Sequence, residues 1–178
     1  TNRGIENISA AEMQSLPGLR IQAVSYRRVS ADYDGDLTAL LDLRTVDDVF
    51  LDLGEWQGIS HIRAALEDFR MNSVQLPLRP ALAIISEFRP VDNPPFFSVT
   101  ANFVGRRNYS VQEIKTAVAE GISAGFRWRY TEENQSDLNI RLFIEHQTVS
   151  IGMRIGETAL HRRPYKIENI PGSLKPSV

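Results

Sequence analysis

The chain has 178 residues, a net charge of −2, 42% hydrophobic residues and a mean hydropathy of −0.24. That length allows one large domain or two small ones, and the apolar content suffices for a buried core, which excludes a disordered chain. With no Cys there is neither a disulfide framework nor a thiolate metal site, and no apolar run approaches the ~20 residues of a membrane span, so a cytoplasmic protein is expected. Ser9-Ala10-Ala11-Glu12 has capping-box spacing and opens a short helix stopped by Pro17-Gly18. Leu19 to Val29 reads as a strand, Asp32 to Asp36 as a turn, and Leu37–Leu43 and Val46–Leu53 as further strands. Ile59–Arg70 is helical, with Ile62, Leu66 and Phe69 at spacings of four and three. Pro80–Phe88 reads as a second helix with Pro80 at its first position.

After Asn93-Pro94-Pro95 the pattern sharpens. Phe97, Val99, Ala101 and Phe103 alternate with polar residues as in a half-buried strand. Gly105-Arg106-Arg107-Asn108 makes a turn, and Ser110-Val111-Gln112-Glu113 is a second capping box. Ile114, Ala117, Val118, Gly121, Ile122 and Gly125 form a helical stripe, with Gly125 as a C-cap. Arg127-Trp128-Arg129-Tyr130 is a short strand. Leu138–Ile144 and Val149–Ile155 alternate around a turn at His146-Gln147. The order is strand, helix, strand, strand, strand. The chain starts at Thr1, and Leu160-His161-Arg162-Arg163-Pro164-Tyr165-Lys166 opens a basic, linker-like tail, so a larger piece is expected to follow.

These residues resemble a THUMP domain: Phe97-Ser98-Val99-Thr100-Ala101-Asn102, the Arg106-Arg107-Asn108-Tyr109-Ser110 turn, the Glu113–Ile122 helix, the Asp137–Ile144 strand and Ile151-Gly152-Met153. The segment from Leu160 to Lys166 is similar to the one leading from THUMP into the methylase domain of THUMP-containing RNA methyltransferases, with Pro164 where members often carry Gly. The acidic first part, opening Arg3-Gly4-Ile5-Glu6, resembles the ferredoxin-like domain that precedes THUMP. The resemblance implies an α+β fold: a ferredoxin-like domain at 1–58, a THUMP-type domain at 59–160 with a mixed, mostly antiparallel sheet, and a linker at 161–178 toward a methylase domain of the same polypeptide. It implies RNA binding, usually tRNA gripped at its acceptor end, with a guanosine presented to a domain that uses S-adenosylmethionine. That domain needs a glycine-rich loop after a strand and an Asn/Asp-Pro-Pro-Tyr motif, and neither occurs here. No cofactor, methyltransferase activity or DNA partner is therefore expected of this chain alone.

The charge distribution bears on the same reading. Residues 1–90 carry a net of −4 and residues 91–178 a net of +2, and 17 of the 20 cations are Arg. The Arg fork suits phosphates and stacks on bases, although a GC-rich genome gives the same Arg excess. The candidate RNA contacts are Arg106, Arg107, Asn108 and Tyr109 in one turn, Arg127 and Arg129 on one face of the short strand, and Arg141 and Arg154 on polar strand faces. His161, Arg162, Arg163 and Lys166 in the tail complete the set. Phosphate neutralisation supplies affinity, and Trp128, Tyr130 and Tyr165 offer stacking planes. Trp128 and Tyr130 equally suit the core, since they face opposite to Arg127 and Arg129.

Other motifs carry less. Gly121-Ile122-Ser123-Ala124-Gly125 has the letters of a nucleophile elbow without the strand before it. Asp32, Asp34 and Asp36 have calcium-loop spacing, but Leu37 and Leu43 stand where Gly and Glu are needed. His61, His146 and His161 share no ligand spacing, so no metal is expected. Asn93-Pro94-Pro95-Phe96 precedes a strand instead of following a cofactor-binding sheet. Two other functions remain open: the THUMP module of a 4-thiouridine-synthetase-type enzyme, and an assembly domain without nucleic acid, which the net negative charge supports.

Overall fold

The computed structural model describes residues 1–87 and 89–161. The fold is α+β, and the described residues divide into two units, Phe50–Arg154 and Thr1–Val49 with residues 155–161.

In the first unit, helix α1 (Glu6–Gln14) precedes a hairpin of β1 (Leu19–Ser25) and β2 (Arg28–Tyr33), and α2 (Leu37–Leu41) follows. The expected strand at Leu19–Val29 is this hairpin. Arg27 turns the chain with φ of 57°, a conformation sparsely used by non-glycine residues. The expected strand at Leu37–Leu43 is the helix α2, because the Asp36 carboxylate accepts the Thr38 N–H and caps it. The first unit holds one two-stranded antiparallel sheet, β1 with β2, among its described residues.

Ser9 does not cap α1, which starts earlier, at Glu6. It is buried and donates to the Thr45 carbonyl, while Glu12 accepts from the Arg44 N–H, the Thr45 N–H and the Thr45 hydroxyl. Burial pushes the Glu12 carboxyl up, but these donors outweigh it and hold it below the ordinary value. A carboxylate lowered in the folded state stabilises above its unfolded pKa and ceases to do so as pH falls through the folded one. Glu12→Ala is expected to cost roughly 1–2 kcal/mol at neutral pH, the loss of a few charge-assisted bonds. Urea denaturation at pH 7 and below pH 4 checks it, because the difference from wild type should shrink in acid.

The second unit is a five-stranded sheet in the order β3-β7-β6-β4-β5. Its strands are β3 (Phe50–Trp56), β4 (Phe96–Phe103), β5 (Arg129–Tyr130), β6 (Leu138–Glu145) and β7 (Thr148–Arg154). The sheet is mixed: β3 with β7 and β6 with β7 are antiparallel, whereas β4 runs parallel to β6 and to β5. The parallel ladders follow from the crossover helix α5 (Val111–Phe126), which returns the chain to the start of β4.

Strand alternation sends Val99, Ala101, Ile140, Leu142, Ile144, Val149, Ile151 and Met153 into one core. Phe69 of α3 (Ala65–Ser73), Ile85 of α4 (Leu78–Ser86), and Ile114, Val118 and Ile122 of α5 fill it from the helices. The Ser110 box forms as expected: its hydroxyl accepts the Glu113 N–H and Glu113 accepts the Ser110 N–H. The helix expected from Ile59 begins only at Ala65, and Ile62 is 57% exposed. Among the described residues no helix is long and apolar enough to cross a membrane.

Candidate nucleic-acid interface

The chain after β4 cannot continue in the sheet, because Gly105 takes φ of 93° and redirects it toward α5. The loop so formed carries Arg106, Arg107, Asn108 and Tyr109, and it meets two other connections at the same end of the sheet. Asn108 donates its backbone N–H to the His61 carbonyl at 2.9 Å, and His61 Nδ1 lies 3.3 Å from the Arg106 carbonyl oxygen. Tyr109 is buried and donates its hydroxyl to the Ser60 carbonyl at 2.8 Å. The Arg107 guanidinium donates to the Tyr109 hydroxyl at 2.8 Å and to the His146 carbonyl in the β6–β7 turn. Ile59 N–H donates to the Gln147 carbonyl at 3.0 Å and closes the set.

Three connections thus converge on one surface. Arg106, Asn108, His61, Arg63 and His146 are exposed there, together with the apolar side chains Ile62, Val104 and Val111. Arg63 pairs with Glu113. The Glu113 carboxyl is held low by the Ser110 backbone and side-chain donors; burial pushes it up by less than these, and Arg63 adds a still smaller downward pull. Of this cluster the sequence pointed to the β4–α5 turn alone. His61, Arg63 and His146 arrive through the pairing of β3 with β7 and of β6 with β7, which no local spacing encodes.

The remaining candidates lie elsewhere. The short strand is only Arg129–Tyr130, because Arg127 takes φ of 60° as the left-handed cap of α5; that cap was expected at Gly125. Arg127 and Arg129 are exposed at the opposite end of β4, roughly 23 Å from the Arg106 loop at ~3.3 Å per residue. Arg129 lies over the Phe96 ring at 4.0 Å. Trp128 is buried between Phe97 and Phe126, and Tyr130 meets Phe97 edge-on at 5.7 Å while part of its ring stays exposed. Burial, and then Glu132, pushes the Tyr130 hydroxyl up.

Arg141 and Arg154 flank Phe50 at 5.8 and 6.0 Å, on the sheet face away from the helical core. Arg154 is only 4% exposed and bonds Glu133 at 2.9 Å, so it offers almost no surface to a ligand. His161 belongs to the first unit, where its N–H donates to the Asp47 carbonyl. Arg162, Arg163, Lys166 and the rest of the 161–178 linker beyond His161 lie outside the described residues.

Ser123 sits inside α5, so the elbow spacing around it is a helix. Among the described residues no three His, Asp or Glu side chains gather to hold a metal. The strand-to-helix turn from β4 to α5 has a single glycine, Gly105, and carries the hydrogen-bonded pair Arg107 and Tyr109.

No family model and no curated protein matches the chain. Solved structures do. TrmN from Thermus thermophilus matches with a TM-score of 0.72 at 20% identity, over 99% of this chain and 50% of that one. A predicted N6-adenine-specific DNA methylase from Listeria monocytogenes str. 4b F2365 matches at 0.71 and 19%, over 99% and 44%. A possible methylase from Clostridium difficile 630 matches at 0.63 and 18%, over 95% and 43%. The chain spans about half the length of these proteins or less, and shares the fold of that portion.

Proposed function

We propose that this chain is the RNA-binding, THUMP-type module of a longer cytoplasmic RNA methyltransferase. It grips RNA, tRNA at its acceptor end in the first instance, and presents a guanosine to a catalytic domain elsewhere in the polypeptide. The carrying observation is the fold likeness, which takes in almost this whole chain and half or less of each matched chain, two of them described as a predicted or possible methylase. The cluster around Arg106 supports the reading, because it supplies cations, imidazoles and exposed apolar side chains. Arg106 and Arg63 neutralise phosphates while Ile62 and His61 lie against unpaired bases. S-adenosylmethionine belongs to the other domain.

A titration of the 178-residue chain against unfractionated tRNA, with intact and CCA-trimmed ends, tests this at ~50 and ~200 mM salt. Two or three phosphate contacts predict that affinity falls roughly 7- to 40-fold over that range, and Arg106→Gln should lower the slope of log K on log salt by nearly one. Trimming should weaken binding further. Absence of binding at low salt would refute the proposal, and equal preference for duplex DNA would redirect it.

A further inference from the structure

Arg107 has the appearance of a phosphate ligand: an Arg next to an exposed Arg in a loop. Its surroundings give it different work. Both Nη groups are engaged with neutral acceptors, the Tyr109 hydroxyl and the His146 carbonyl, and Nε is enclosed without a partner. The guanidinium also lies 5.8 Å from the centroids of the Phe103 and Tyr109 rings. A cation held at that many points lacks the mobility to follow a phosphate, and its one unpartnered nitrogen, Nε, is turned inward.

What those points join is specific. Arg107 ties the β4–α5 loop to the β6–β7 turn. Through the Tyr109 hydroxyl, which donates its own hydrogen bond to the Ser60 carbonyl, it ties both to the β3–α3 connection. These are the three segments that present Arg106, His146 and His61. Asn108 to His61, Ile59 to Gln147 and His61 Nδ1 to the Arg106 carbonyl also join these segments, each through one bond between two of them, whereas Arg107 and Tyr109 engage all three.

We infer that Arg107 and Tyr109 are positioning residues, which fasten the three connections into one RNA-binding surface without touching the RNA. The inference rests on the function proposed above. Arg is needed at 107 because only its planar fork reaches a hydroxyl and a carbonyl at once. Lys keeps the charge and reaches one acceptor.

Arg107→Lys therefore separates the two roles. A phosphate contact tolerates Lys, which binds phosphate as a point charge. A fastener does not. The expected result is a roughly tenfold loss of tRNA affinity, with the salt slope of wild type, since no phosphate contact is removed. In the free protein, hydrogen exchange at the Asn108 and Ile59 amides should quicken about tenfold while the β4 amides of Val99 and Ala101 keep their rates. Tyr109→Phe, which keeps the buried ring and deletes only the hydroxyl, should shift the same two amides in the same direction and serves if the Lys variant folds poorly. Wild-type affinity in Arg107→Lys, or unchanged exchange at Asn108 and Ile59, overturns the inference. Should the wild-type chain bind no tRNA, the proposed function fails, and the exchange rates alone decide whether Arg107 fastens the loops.

Discussion

Phe69→Ala is expected to destabilise the second unit by about 3–5 kcal/mol, the range for deleting a fully buried aromatic ring. Phe69 is 0% exposed and stands between two other rings: Trp56 of β3 at 6.0 Å and Tyr109 of the β4–α5 loop at 5.9 Å, both edge-on. Edge-to-face pairs add to the area term, and three separate elements line the hole that alanine would leave, so it cannot close by the shift of one of them. For a chain of this length the melting temperature should fall by roughly 10 °C. The consequence reaches the candidate interface, because the ring that orients the Tyr109 hydroxyl is gone. Phe97→Ala is the control: Phe97 is equally buried, but its ring partners are Trp128 and Tyr130 at the other end of β4. Both variants should lose stability alike in urea, while only Phe69→Ala should also lose tRNA affinity at a temperature where both are folded. A loss below ~1 kcal/mol for Phe69→Ala would show that the aromatic triad does not join these elements.

The same residues show what a sequence can and cannot reveal. β4, β6 and β7 are legible because each buries one face, so alternation is the physical requirement itself. The Ser110 box and the stripe of α5 are legible for the same reason, since capping and helical burial are satisfied within a few residues. Where the deciding partner is distant, reading fails. Leu37 to Leu41 suits a strand as well as a helix until the Asp36 side chain turns in to cap it. Ser9 and Glu12 have box spacing, yet their bonds go to residues 44 and 45. Arg154 stands in the polar register of β7, yet it is buried, beside Phe50 and paired with Glu133.

The basic set divides by the same logic. Chain neighbourhood placed Arg106 to Tyr109 in one turn, and they stay together. It also placed Arg127 beside Arg129, but the left-handed backbone at Arg127 takes it out of the strand. It could not supply His61 and His146, which reach the Arg106 loop only through sheet pairing. Nor could it tell Arg106 from Arg107, adjacent and identical in type, one open to solvent and the other held by two loops.

Gly121→Ala sets two effects against each other, and their magnitudes decide the sign. Within a helix, alanine in place of glycine gains about 1 kcal/mol from propensity alone. Gly121 lies where α5 crosses α3, and a methyl group there would fall on the Arg70 carbonyl oxygen, well inside contact distance, and 2.9 Å from Ser73 Cβ. Neither neighbour can swing away: one is backbone, and the other is the first side-chain atom of a buried residue whose hydroxyl bonds the Phe69 carbonyl. The helices must separate, and overpacking of this kind costs about 1–3 kcal/mol, at times more. Because the clash is with backbone, the upper part of that range applies, and a net loss of about 2 kcal/mol is expected, visible as a lower urea midpoint. Gly125, four residues on, offers the comparison. A methyl group there meets Val74 Cγ1 at 2.9 Å, but Val74 is exposed and can turn aside, so Gly125→Ala should keep part of the propensity gain and stabilise by up to ~1 kcal/mol. If Gly121→Ala stabilised the protein, α3 and α5 could not pack as closely as this geometry requires. The glycine would then answer to some need other than the helix crossing.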